Sequence, residues 1–147
     1  MEGVLKMIYT IKIKCVGGIY LQEPFERTVE VQSKTSLDAL HNLIQKLTGF
    51  DNDHCYDFFI GKNPRDCRNC LIAEDGFMVR SKQPMKTLEQ VFPVPKGQKF
   101  FYWFDFGDDW KFEITLKDSK EKQPGVKYPI VIAEKGSKPE QYPEFDE

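Results

Sequence analysis

The stretch from Gln98 to Lys117 limits the choice of fold more than any other. Six of the seven residues from Phe100 to Phe106 are aromatic. An extended strand sends successive side chains to opposite faces, so this run places large rings on both. Gly107-Asp108 then interrupts it, and Trp110, Phe112, Ile114 and Leu116 alternate with polar or charged neighbours, the period of a strand with one buried face. Gln98–Phe106 and Asp109–Lys117 therefore read as an antiparallel hairpin. Two readings fit the doubled aromatic surface: core on one side with a partner on the other, or a strand covered on both faces. Trp103 is the side chain expected at an interface if one exists, since Trp is a common anchor residue.

The rest of the chain supplies elements to cover such a hairpin. Met7, Tyr9, Ile11, Ile13 and Cys15 alternate with polar residues up to Gly17-Gly18, and Phe25, Arg27, Val29 and Val31 alternate again, which predicts two paired antiparallel strands. Leu37, Leu40, His41, Ile44 and Leu47 fall three or four apart as one helical stripe, with Thr35 placed to cap its start, Asp38 in its first turn and Gly49 to end it. His54–Ile60 is nearly all apolar or aromatic and predicts a strand central in a sheet. Gly61–Pro84 reads as a long excursion with a short strand at Gly76–Arg80, and Thr87–Phe92 as one helical turn stopped by Pro93 and Pro95. A charged link, 118–127, leads to a last strand at Tyr128–Ala133, and the acidic segment 136–147 is expected to fray.

The predicted fold is α+β, a mainly antiparallel sheet opened by a β-β-α-β unit that resembles a ubiquitin-like grasp, with one main helix across one face. A length of 147 residues predicts one domain over 1–147. Its 21 Lys and Arg against 23 Asp and Glu leave a formal charge of -2, and residues 101–147 carry 7 basic against 11 acidic side chains. That balance argues against a nucleic-acid backbone or an anionic membrane as partner and leaves a protein or small molecule. No apolar run approaches a membrane span, and four unevenly spaced cysteines do not form a secreted disulfide framework, so a cytoplasmic location with reduced thiols is expected.

Two segments bring a family into view: Ser36 to Phe50 running into Asp53-His-Cys-Tyr-Asp-Phe58, and Tyr102 to Ile114 with its Tyr-Trp-Phe-Asp-Phe-Gly-Asp-Asp-Trp core. They resemble the Leu-His…Ile-Gln helix, the His-aromatic-Phe strand and the Tyr-Asp-Phe-Gly-Asp-Trp hairpin of the plasmid open-reading-frame-three-like family. Tyr128-Pro129 and Pro139-Glu140 resemble that family's closing signatures. The resemblance covers Met7 to Pro143 and implies no established activity, although some members are labelled resolvase-like. The chemistry here argues against strand exchange, because only four Arg are present and no Ser is embedded in an Arg-rich neighbourhood. A His often stands in the family where this chain has Phe112, and cysteines where it has Ser137 and Tyr142, so any ligand those positions hold in relatives is expected to be lost here.

Several constellations carry potential chemistry. Asp105, Asp108 and Asp109 crowd one turn, which suits a hard cation or an acid–base pair, or else a tight turn whose carboxylates accept backbone N–H bonds while Gly107 takes a positive φ. Cys67-Arg-Asn-Cys70, with His54 and Cys55 upstream, has the ligand types of zinc. It is half a site, and the alternatives are a redox pair or ordinary loop thiols. His41 on the helical stripe and His54 at a strand start read as hydrogen-bonded core residues, and His41 with the Asp105 carboxylate as a proton-transfer pocket if the helix packs near that turn. The leading functional reading is a binding or interaction domain using His41, His54, Trp103, Asp105, Asp108, Asp109 or Trp110. The alternatives are a small metal-dependent enzyme built on the Asp105 turn with His41 or His54, and a nucleic-acid accessory protein.

Overall fold

The alternating patterns near the N-terminus become β1 (Met7–Gly17) and β2 (Glu26–Gln32), which pair antiparallel with Tyr9 opposite Val31, Ile11 opposite Val29 and Ile13 opposite Arg27. The computed structural model describes residues 6–72 and 85–143, so the strand expected at Gly76–Arg80 lies outside the described residues. On the inner face of this pair Ile11, Ile13, Cys15, Val29 and Val31 are buried. Arg27 shares that face because its guanidinium lies 4.3 Å from the Phe25 ring centroid and its Nη1 donates to the carbonyl oxygens of Lys135 and Gly136 at 3.1 and 3.0 Å. A buried charge is tolerable on such terms, with its donors met by backbone acceptors.

Helix α1 (Leu37–Thr48) follows, and its stripe differs in detail from the expected one. Ser36, not Thr35, is the N-cap: its Oγ accepts from the Ala39 amide at 3.1 Å. The Thr35 hydroxyl instead donates to the Gln32 carbonyl at 2.6 Å and closes the preceding turn. Gly49 ends the helix at φ 76 as expected. Leu37, Leu40 and Ile44 are wholly buried, each stabilising the fold by about 1.5–3 kcal/mol. Leu47 is only half-buried, because the inward face turns through His41, Gln45 and Thr48.

The hairpin is formed by β4 (Lys99–Phe104) and β5 (Trp110–Glu121), with Phe100 opposite Ile114, Tyr102 opposite Phe112 and Phe104 opposite Trp110. These six side chains face the helix and are buried. On the other face Phe101 stacks on Phe59 at 5.0 Å and both are wholly buried, so most of β4 is covered on both sides. The turn departs from expectation. Asp105 and Asp109, at φ 56 and 59, take the left-handed conformation, and Gly107 does not. Asp tolerates that region because its short carboxylate bonds locally.

With β3 (Tyr56–Gly61) and β6 (Ile130–Lys135), six strands make one sheet in the order β3-β4-β5-β1-β2-β6, and every adjacent pair is antiparallel. The short helix α2 (Leu88–Val91) lies between β3 and β4 in sequence. The architecture is thus α+β with one main helix on a mainly antiparallel sheet, opening β-β-α-β in chain order. β3 was expected to be central, but it is an edge strand. Its apolar character has another cause: residues 69–71 fold back along its outer side, with Ile60 N–H bonded to Asn69 O at 3.2 Å and Leu71 N–H to Phe58 O at 2.8 Å. At the opposite edge, β6 pairs with β2 through a register shift that leaves Ile132 as a bulge, followed by exposed Glu134 and Lys135.

Candidate functional site

A line of polar groups runs from the core to the surface beside the first turns of α1. Tyr102 is wholly buried, and its hydroxyl receives the Gln45 Nε2 proton at 3.0 Å and lies 2.6 Å from His41 Nδ1. Its own proton is directed to His41 Nδ1 when the ring proton sits on Nε2, the nitrogen that faces the Asn52 acceptor. The imidazole then carries its proton on Nε2, which reaches Asn52 Oδ1 at 2.8 Å. Burial pushes the Tyr102 phenol far above its ordinary value, so the hydroxyl stays protonated and able to donate. Tyr56 stacks on His41 and its hydroxyl donates to Asp38 in the first turn of α1.

His54 belongs to a second group. Its Nε2 lies 2.7 Å from the Tyr142 hydroxyl, 3.4 Å from Asp105 Oδ2 and 3.8 Å from Asp53 Oδ1. The Tyr142 hydroxyl donates to Asp53 Oδ2 at 2.9 Å, and Gln141 Nε2 donates to Asp53 Oδ1 at 2.8 Å. Desolvation raises the Asp53 carboxyl, but these two hydrogen bonds outweigh it and hold the group below the usual carboxylate value. Desolvation, with the facing Asp53 carboxylate, pushes the Tyr142 phenol up to about 12. A proton on His54 Nε2 can thus be shared with Tyr142 and, through it, with Asp53. Gln141 is buried and accepts from the Asp51 amide at 2.7 Å, so the segment expected to fray is tied down at 141–142.

His41 and His54 flank Phe104, with ring centroids 6.3 and 6.2 Å from it. They line one cleft of about 690 Å3, together with Asp38, Asn52, Asp53, Tyr56 and Asp57 among others. The structure therefore brings the two histidines to one opening, but it gives the Asp105 carboxylate to His54 rather than to His41. Asp105 is buried behind His54 and does not line the cleft. Desolvation and the neighbouring Asp105 raise the Asp108 carboxyl. Asp109 turns away to accept from Trp103 Nε1 at 2.8 Å and to meet Lys111 Nζ at 3.4 Å.

Trp110 was expected as a binding candidate, but it is wholly buried and packs 4.9 Å from Phe50. Gly18, at φ 145, lies against it so closely that a Cβ there would stand 2.5 Å from the indole. Trp103 is half-buried beside Phe106 at 4.3 Å, and Lys111 Nζ lies 5.2 Å from its ring. Among the described residues no three His, Cys, Asp or Glu side chains gather where they could hold a metal ion. Cys55, Cys67 and Cys70 are free, with Cys55 exposed and the other two half-buried, and Cys70 Sγ donates to the Cys67 carbonyl at 3.3 Å. The zinc constellation and the metal-dependent enzyme thus lack a cluster to carry them in the described part of the chain. Burial raises the Cys70 thiol to about 11, which favours the inert thiol.

Sequence reading missed Asn52, Tyr56, Tyr102, Gln141 and Tyr142. Gln45 and Thr48, polar residues at helical spacing from His41, were the available sign that the inward face of α1 is partly polar.

One main helix on an antiparallel six-stranded sheet, with a polar two-histidine cleft at the helix's flank, defines a small α+β domain. The chain belongs to the plasmid pRiA4b ORF-3-like protein family, whose model matches residues 7–142. It is similar to the crystal structure of a protein of unknown function, MM3350, from Methanosarcina mazei Go1, with a TM-score of 0.67 and 23% identity over 89% of this chain and 70% of that one. That likeness bears on the fold alone. No curated protein matches the chain. No helix among the described residues is long and apolar enough to cross a membrane.

Proposed function

We propose that the chain is a binding domain and that its ligand enters the cleft beside α1. The observation that supports this most is the convergence of both histidines of the sequence on one opening of about 690 Å3, inside the size range of about 300–1,000 Å3 for small-ligand sites. Each imidazole is held by its own partners, His41 by Tyr102 and Asn52 and His54 by Tyr142 and Asp105. Groups oriented before a ligand arrives lose less entropy on binding. A single domain in the reducing cytoplasm fits four free cysteines, and a grasp-like arrangement of β1, β2, α1 and β3 belongs to the same reading.

The test is NMR mapping of a small-molecule fragment set on the full chain. Shifts that concentrate on Asp38, His41, Asn52, His54 and Tyr56 support the cleft. A set that leaves both imidazoles unmoved ends the proposal. A protein contact at Trp103 and Phe106 is the second reading, favoured by Phe106, which is 37% exposed against the Trp103 ring. It predicts that a partner perturbs the Trp103 indole rather than the imidazoles.

A further inference from the structure

The two half-buried cysteines that follow β3 stand in unequal surroundings. Cys70 is pinned along the outer side of that strand: it bridges to Phe59, and its neighbours Asn69 and Leu71 bond to Ile60 and Phe58 at 3.2 and 2.8 Å. Cys67 precedes the bend at 68–69 and lies outside that ladder. The Cys70 Sγ turns back to the Cys67 carbonyl at 3.3 Å, so the second thiol rests on the backbone of its partner. A two-residue gap is the spacing of dithiols that close to a disulfide.

A carboxylate is built in beside them. Asp57 is 2% exposed, and its Oδ1 accepts from the amides of Phe58 and Ile72 at 2.7 and 3.0 Å. Those bonds hold the carboxylate where it also hydrogen-bonds to the Cys70 thiol. Burial, and then the charges of Asp57 and Cys67, raise that thiol to about 11. At rest Cys70 therefore keeps its proton. A thiol of high proton affinity is a strong nucleophile once deprotonated, and a proton acceptor is already in contact with it. Capping two amides accounts for a buried acceptor at Asp57, but not for a cysteine pair set against it.

We infer that Cys67 and Cys70 are a dithiol that reduces low-molecular-weight disulfides, with Cys67 attacking, Cys70 resolving and Asp57 taking the Cys70 proton. The Cys67 thiolate, its proton gone to solvent, attacks one sulfur of the disulfide and releases the other half as a thiolate. Cys70 Sγ then attacks Cys67 Sγ while Asp57 accepts its proton. The Cys67–Cys70 bond forms, the mixed disulfide breaks, and the second half leaves with the proton from Asp57. The small disulfide gains the two electrons that the pair loses. This site is separate from the ligand reading of the cleft, although Asp57 stands in the cleft wall.

The test mixes the full chain with oxidised glutathione, quenches in acid and reads intact and peptide masses. Cys15 is buried and Cys55 exposed, so Cys55→Ser serves as the parent. The expected product is an internal Cys67–Cys70 disulfide, reversed by dithiothreitol, with no glutathione retained. Cys70→Ser is expected to stop at a glutathione adduct on Cys67. Asp57→Asn is expected to accumulate that same adduct, its resolution slowed about tenfold or more at neutral pH and recovering as pH rises towards the thiol's own value. Removing the Asp57 charge by itself eases Cys70 ionisation, so slowing reports the lost acceptor, and a purely structural Asp57 would not give that pH dependence. Should Asp57→Asn fail to fold, Cys70→Ser still tests the pair. Thiols left unreacted at 67 and 70, separate glutathione adducts on both, or an adduct trapped on Cys70 in Cys67→Ser but none on Cys67 in Cys70→Ser overturns the inference. Equal resolution rates in folded Asp57→Asn and its parent overturn it as well.

Discussion

The imidazole of His41 lies flat on the phenol ring of Tyr56, with 3.6 Å between ring centroids and 5° between planes. The stack joins α1 to β3 and leaves the edges of the imidazole, not its faces, to find polar partners. Those edges meet Tyr102 inside and Asn52 at the surface. A histidine that sequence alone places on an apolar stripe thus links the buried Tyr102 to Asn52 at the surface.

Tyr102→Phe keeps the ring and removes the hydroxyl that joins Gln45 to His41. Gln45 Oε1 already has no hydrogen-bond partner among the described residues, so the variant leaves that amide without its bond to Tyr102 and removes the same hydroxyl from His41 Nδ1. We expect a loss of about 1–3 kcal/mol in stability. Urea unfolding checks it, with an unchanged slope showing that the packing survives.

Ser36→Ala is expected to cost about 1 kcal/mol by removing the acceptor for the Ala39 amide. Thr35→Ala removes a hydroxyl bond in an exposed turn and is expected to stay within about 0.5 kcal/mol. Thermal unfolding of the two side by side tests the cap; a larger loss for Thr35→Ala would move it back to the position the sequence suggested.

Glycine positions separate in the same way. At Gly107 an added Cβ would meet only Asp105 Oδ1 at 3.6 Å, and the backbone is not left-handed. Gly107→Ala is therefore expected to be neutral or to stabilise by about 0.4–1 kcal/mol through the unfolded state. At Gly136, with φ 81, a Cβ would stand 1.7 Å from the Pro24 carbonyl oxygen. Gly136→Ala is expected to lower the melting temperature clearly, and a scan of both variants reads the contrast.

Stability should also fall on the acid side through Asp53. Its carboxyl has a lower pKa in the folded chain than the ordinary 3.8. The ionised form thus favours folding above 3.8, and that contribution fades as pH drops through 3.8 towards the lower folded value. Its side chain is 41% exposed, so solvent screening keeps the effect small. The tether between the 51–53 loop and Gln141 is expected to loosen as pH falls below 3.8, seen as faster exchange of the Asp51 amide, and Asp53→Asn should flatten that change.

The alternations of Met7–Cys15, Phe25–Val31 and Trp110–Leu116 translated into strands because period two marks a covered face, although Ile8, on the side opposite Tyr9, is wholly buried as well. His54–Ile60 misled, because an apolar run shows that a strand is covered without saying whether another strand or a folded-back loop covers it. The Asp105 turn was found, but its left-handed positions were not, since Asp and Gly both accept them. Half of the cleft was legible in His41 and His54. The side chains that hold those two rings, Asn52, Tyr102 and Tyr142, neighbour the histidines only after the sheet has paired and residues 141–142 have crossed back to the 51–54 loop.

The two margins of the sheet have a joint consequence. Along β3 the backbone groups are already engaged by residues 69–71, and along β6 the bulge at Ile132 breaks the straight ladder just before a pair of charges. Neither side offers a long, flat template, so a stray extended peptide finds no place to dock in register. A molecule with this many large rings near an open rim would be prone to stacking into fibrils, and here the rims themselves oppose that outcome.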